Sequence, residues 1–150
     1  MKWVSCIGFC LIFFSCKQKS AYPPEPKLTY NSLQPKILKA GSSNGYTLVS
    51  LGIVDGDGDI GFNTDNLYFH DSRDSTNQWI KMRIPEIPGD YSPGAGIKGS
   101  IEVIYLAAWL LLRPDTAHLH SDTLHWSIFM KDEAGHISDT VETEDLILVD

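Results

Sequence analysis

The chain has 150 residues, 43% hydrophobic and 21% charged, with a formal net charge of -7. That size fits one domain around one core. An acidic chain without a Lys/Arg cluster does not suit nucleic acid, where affinity comes mainly from neutralising phosphates, but it does suit a soluble surface or a divalent cation.

The first element in chain order is an apolar run. After Lys2, residues 3–14 are apolar apart from Ser5. That is the length of a signal-peptide core and well short of the roughly 20 residues a spanning helix needs. The run ends Phe13-Phe14-Ser15-Cys16 and turns polar at Lys17-Gln18-Lys19-Ser20. A small residue before a cysteine at this boundary resembles a lipobox, with phenylalanines where the commonest lipoboxes carry leucine. The resemblance implies that residues 1–15 are a signal peptide. It also implies that Cys16 becomes the N-terminus, carries acyl chains such as palmitate, and holds the protein in a bacterial envelope membrane, the outer membrane by expectation. A plain secretory signal with an incidental cysteine is the alternative. All three cysteines, Cys6, Cys10 and Cys16, lie in this region. The rest of the chain therefore has no disulfide, no thiolate nucleophile and no cysteine zinc site. Residues 16–27, with Pro23, Pro24 and Pro26, predict a stiff tether. The domain is expected over 28–150.

The domain divides itself into strands. Residues 46–54 (YTLVSLGIV) are rich in β-branched and apolar side chains and follow an Asn44-Gly45 turn signal. Residues 67–70 form a short strand. Residues 79–84 alternate Trp79, Lys81 and Arg83 against Ile80, Met82 and Ile84, and Pro85 and Pro88 stop them. Residues 89–99 read as a glycine-rich loop. Residues 101–112 are apolar nearly throughout, and the β-formers Ile101, Val103, Ile104 and Tyr105 favour a long strand, bent at Ala107-Ala108, over a buried helix. Residues 124–131 and 141–149 complete the series, the last kinked near Glu144-Asp145. About seven strands without an amphipathic helix predict an all-β antiparallel sandwich.

One motif carries chemistry: Asp55-Gly56-Asp57-Gly58-Asp59-Ile60-Gly61, followed by Asn63, Asp65 and Asn66. Closely spaced like charges repel, and hard oxygens on a pliable backbone are what Ca²⁺ takes, with 6–8 ligands as a rule. Asp55, Asp57, Asp59 and Asp65 are the candidate ligands. The spacing starts like an EF-hand loop, but Ile60 and Asn66 stand where that loop needs Gly and Glu, and no helix flanks it. The other reading is a tight turn whose carboxylates accept backbone N–H groups and hold no metal.

A second motif, Asp132-Glu133-Ala134-Gly135-His136-Ile137-Ser138, predicts a hairpin with Gly135 at positive φ. Together the two motifs resemble the Ig-like domains of small lipoproteins from Bacteroidota, over residues 46–149. That resemblance implies an Ig-like sandwich behind a lipid anchor and carries over no catalytic residue. Surface-displayed lipoproteins of that lineage carry an acidic stretch after the lipidated cysteine; here Lys17-Gln18-Lys19 is basic.

His118 and His120 share a face of an extended segment and could take Zn²⁺, though a polar loop explains them as well. Trp79, Trp109 and Trp126 are expected in the core. No nucleophile elbow, HExxH helix or phosphate-cradling loop occurs in the sequence. The expectation is a non-enzymatic binding or accessory domain on a lipid anchor, stabilised by Ca²⁺, with an envelope protein or glycan as partner. The alternatives are a glycan-binding accessory lipoprotein for nutrient uptake and, behind it, a small hydrolase.

Overall fold

The structure is a computed structural model and describes residues 21–61, 64–85, 96–114 and 120–150. The leader with Cys16, most of the 89–99 loop, and His118 lie outside the described residues. The described strands are β1 (Lys27–Gln34), β2 (Ile37–Lys39), β3 (Tyr46–Asp55), β4 (Leu67–Asp71), β5 (Ile80–Met82), β6 (Ile97–Leu106), β7 (Ser121–Leu124), β8 (Trp126–Met130), β9 (Val141–Glu142) and β10 (Leu146–Val149). They form three sheets in the orders β1-β3-β6, β2-β10-β7 and β5-β4-β8-β9. The fold is all-β and sandwich-like, with a single parallel pair among these strands, β2 on β10.

The period of two in an extended chain decides what is buried. Along β3 alternate residues Thr47, Val49, Leu51, Ile53 and Asp55 point inward. Along β8 Trp126, Ile128 and Met130 do the same. The first and third sheets meet through rings: Tyr105 of β6 lies 4.6 Å from Trp126 of β8 and 6.1 Å from Phe69 of β4. These residues belong to one continuous hydrophobic core.

Several segments differ from the sequence expectation, each for a visible reason. The stretch expected as one strand over 124–131 is two. At His125 the chain leaves the sheet of β10 and joins that of β4, and Ser72 holds the corner by bonding both ways with the His125 backbone (3.0 Å each). The stretch over 141–149 makes the same switch. Thr143 donates its N–H to Trp126 O (2.9 Å) and accepts the Trp126 N–H on Oγ1 (3.0 Å). Two long chains that change sheets at one corner are how two sheets share an edge in a sandwich.

The apolar run at 101–112 is a strand only as far as Leu106. A short 3-10 turn at Ala107–Trp109 follows, because the Ala107 N–H donates to Gly45 O (2.9 Å) and the Ala107 carbonyl accepts from Gly41 and Leu110. That turn leaves Trp109 68% exposed, so it is not a core residue. β6 also begins earlier than expected, at Ile97, since β3 runs far enough to pair Asp55 with Ile97. β1 and β2 were not foreseen; together with the two segments that split, they bring the described strands to ten, against about seven expected.

A buried ion cluster closes one end of β7. The Asp122 side chain is fully buried; Arg113 reaches both of its oxygens (2.7 and 3.0 Å) and Arg73 reaches one (3.2 Å). Burial works to raise this carboxyl, but the Arg113, Thr123 N–H and Arg73 hydrogen bonds outweigh it and hold it well below the usual range. A depressed folded value contributes stability above the ordinary carboxylate range that is lost as pH falls through the folded value. We expect Asp122→Ala to cost about 1–3 kcal/mol near neutral pH, because it removes the buried carboxylate that Arg113 and Arg73 share, although Arg73 keeps Asp71. Urea unfolding at several pH values checks this, and the difference between parent and variant should shrink in acid.

Candidate cation site at the acidic loop

The inward alternation of β3 ends on a carboxylate. Asp55 follows Leu51 and Ile53 on the core face and is 0% exposed. The chain then turns back on itself through Gly58 (φ 73°) and Gly61 (φ 77°). Gly61 is required twice over, since a Cβ there would also press within 3 Å of Thr64 Oγ1 and Glu133 Cγ. Buried Asn66 staples the far side of the loop. Its Nδ2 donates to the carbonyls of Ile60 (3.1 Å) and Gly61 (3.0 Å), and its Oδ1 accepts the Ile84 N–H (2.9 Å).

The loop lies against the 132–138 hairpin. The Asp59 carbonyl accepts the Glu133 N–H (2.9 Å), and Asp59 Oδ2 accepts the Ala134 N–H (3.0 Å). Inside the hairpin, Asp132 Oδ1 accepts the N–H groups of Gly135 and His136, both at 2.7 Å, and its Oδ2 pairs with His136 Nδ1 at 2.8 Å. Gly135 has φ 97°.

The outcome is a convergence of three carboxylates. Asp55, Asp59 and Asp132 each place an oxygen within 4.8 Å of the others. The carboxylates of Asp55 and Asp59 divide their labour. Asp55 Oδ1 accepts the N–H groups of Asp57 (3.2 Å) and Gly58 (2.9 Å), while its Oδ2 is buried with no partner. Asp59 gives Oδ2 to the hairpin and leaves Oδ1 buried and unpartnered, and Asp57 Oδ1 is in the same position. A buried acceptor without a donor is costly, and this loop holds three such oxygens among the described residues. Burial, with the neighbouring charges of Asp57 and Asp59 adding to it, pushes the Asp55 carboxyl up to about 6, although the Gly58 N–H opposes the rise. Burial and the charge of Asp132 raise Asp59 as well. The donor set is all hard oxygen, which fits Ca²⁺ or Mg²⁺ and not a soft metal.

The other sequence candidates fall elsewhere. Asp57 borders Asp55 and Asp59 but is outside the triad. Asp65 stands apart from the triad, with its exposed carboxylate on Arg83 Nε (3.1 Å). His120 is exposed and pairs with Asp150 (2.9 Å), as a polar-loop reading has it. Asp132 and Asn66 carry roles that sequence reasoning missed. Both stood in the quoted motifs, Asp132 only as a turn former.

On the outer face of the third sheet, Tyr68 stacks on Phe129 (4.6 Å), Trp79 meets Phe129 edge-on (4.8 Å), and His70 lies 5.3 Å from Trp79. Trp79 is thus half-buried on an outer aromatic face and not in the core. A cavity of about 280 Å³ between β5 and β6 is apolar apart from Arg83 and Glu102, and holds no carboxylate pair.

A carboxyl raised above its unfolded value of 3.8 favours the fold while protonated. Its contribution is complete below that unfolded value and is lost as pH rises through about 6. In chelator the domain should therefore lose stability between about pH 4 and about pH 7. Asp55→Asn keeps the Oδ1 acceptor and removes the charge. It should flatten that slope and make the metal-free domain more stable at neutral pH, by an amount of the order of 2 kcal/mol. Thermal melts across pH in EDTA measure both effects, and an unchanged slope in the variant would show that Asp55 is not the group responsible.

No protein-family model, curated protein or solved structure matches this chain.

Proposed function

We propose that the chain is an exported, lipid-anchored envelope lipoprotein whose sandwich is a non-enzymatic, Ig-like accessory domain stabilised by a bound Ca²⁺ ion. The observation that carries the domain's role is the set of unpartnered, buried oxygens on Asp55, Asp57 and Asp59 beside Asp132. The anchor is supported by the apolar run ending Phe14-Ser15-Cys16 and by the absence of cysteine from the rest of the chain. Acyl chains on Cys16 would attach the protein to the membrane, one chain only marginally and two or three stably. The aromatic face around Trp79 and Phe129 favours a second reading, an accessory lipoprotein that binds glycan on that sheet.

Two measurements test the proposal. Mass spectrometry of the protein from membranes should find an acylated N-terminal Cys16; an unmodified N-terminus further along would remove the anchor. Separately, Ca²⁺ at 100 times its dissociation constant should add about 2.7 kcal/mol to unfolding. Asp59→Ala and Asp132→Ala should abolish that gain, and a parent melt indifferent to Ca²⁺ against EDTA would leave the loop as a turn alone.

A further inference from the structure

The pairing of β1 with β3 fixes where the chain preceding β1 must run. Lys27 stands opposite Val54, and the strands are antiparallel. Residues before Lys27 therefore continue past the end of β3, over Asp55 and the loop that follows. They do so in contact. Gly56 is buried, and a Cβ added there would overlap the carbonyl oxygens of Tyr22 and Pro23 and lie 2.6 Å from the Pro23 carbonyl carbon. Pro26 is buried as well. Tyr22, Pro23 and Pro26 of the expected stiff tether thus lie against the domain.

The segment suits this seat. Prolines at 23, 24 and 26 restrict the residues before them to extended conformations, so little freedom is lost on docking. Its backbone presents carbonyl oxygens, the neutral hard ligands that Ca²⁺ adds to carboxylates. They stand at the residue between Asp55 and Asp57. Glu25 brings a further negative charge toward an already anionic loop, and it acts on the same ring, His136, as Asp57 does. His136 offsets part of this charge, since Asp132, Glu25 and Asp57 all favour its protonated form; a bound cation would offset more.

We propose that the cation held by Asp55, Asp59 and Asp132 also fastens residues 21–26 onto the loop at Gly56, making this segment a Ca²⁺-dependent clasp. The clasp rests on the ion site proposed above and assigns it a regulatory role. When loaded, the site shortens the free length between the domain and whatever lies N-terminal to residue 21. When empty, it releases about six residues of extended chain, which at about 3.1 Å per residue is close to 20 Å of reach. Linkage requires reciprocity: whatever factor Ca²⁺ adds to docking of the segment, docking adds to Ca²⁺ affinity.

The test uses the full chain in detergent, with Ca²⁺ as the only added ligand. Calorimetric titration reports binding, and hydrogen exchange of the peptide spanning 21–27 reports docking. The clasp predicts exchange slowed about tenfold or more by Ca²⁺ over EDTA. Gly56→Ala leaves every carboxylate in place but expels the segment. It should weaken Ca²⁺ binding by the same factor and abolish the protection. The double variant P23G/P24G, which loosens the segment without touching the core, should shift both readouts in the same direction. Ca²⁺ binding to the parent with unchanged exchange at 21–27 would overturn the clasp and leave the ion site standing. No binding heat in the parent would overturn both.

Discussion

A carboxylate buried at the end of the central strand is the constraint that organises this end of the molecule. β3 pairs on both sides, with β1 and β6, and its alternation commits every second residue to the core. Asp55 is the last of those residues. Several kcal/mol separate a buried, uncompensated charge from a solvated one, while a single neutral hydrogen bond returns about 1 kcal/mol. Two backbone N–H groups on Oδ1 thus offset only part of the cost. The local sequence follows from what remains. Glycine at 58 lets the backbone fold over the carboxylate at positive φ, and glycine at 56 makes room for the incoming segment. The hairpin then supplies the N–H groups that hold Asp59 beside it.

The sandwich delivers these parts to one place because its long chains change sheets. β8 leaves the corner at His125 and ends at Met130, where Lys131 bonds to Asn66 O (2.9 Å) and the hairpin begins. Asn66 opens β4 and also holds the loop carbonyls. A single buried amide thereby joins the acidic loop, β4, the hairpin and Ile84. No metal is needed to explain that scaffold; its hydrogen bonds are complete without one. What the scaffold leaves over is a set of buried oxygens with no donor, and the ion proposed above would fill that remainder.

The features legible in the sequence were those with a strong period or a strong turn. β3 and β4 were visible because apolar and β-branched residues concentrate there. Gly135 was visible because a two-strand connection demands positive φ. β1 escaped notice because KLTYNSLQ is half polar, and its value lies in pairing with β3, which is a long-range fact. The end of the 101–112 strand was illegible for the same kind of reason: Ala107 turns because Gly45 is across from it, 62 positions away in sequence on the numbering. At the site, the D-x-D-x-D spacing identified Asp55 and Asp59 correctly as neighbours. It could not exclude Asp65, whose partner Arg83 comes from beyond β5, nor include Asp132, which arrives from the far end of the chain.

The same long-range assembly sets the kind of ion affinity to expect. An EF-hand draws its ligands from one contiguous 12-residue loop and is pre-arranged by its helices. Here the three carboxylates come from a strand end, a glycine-linked turn and a distant hairpin, so it is folding that brings them together; for the Ca²⁺ binding proposed above, binding energy would become folding energy. Among the described residues three carboxylates converge, so backbone oxygens or water would have to fill the rest of a Ca²⁺ shell of about 6–8.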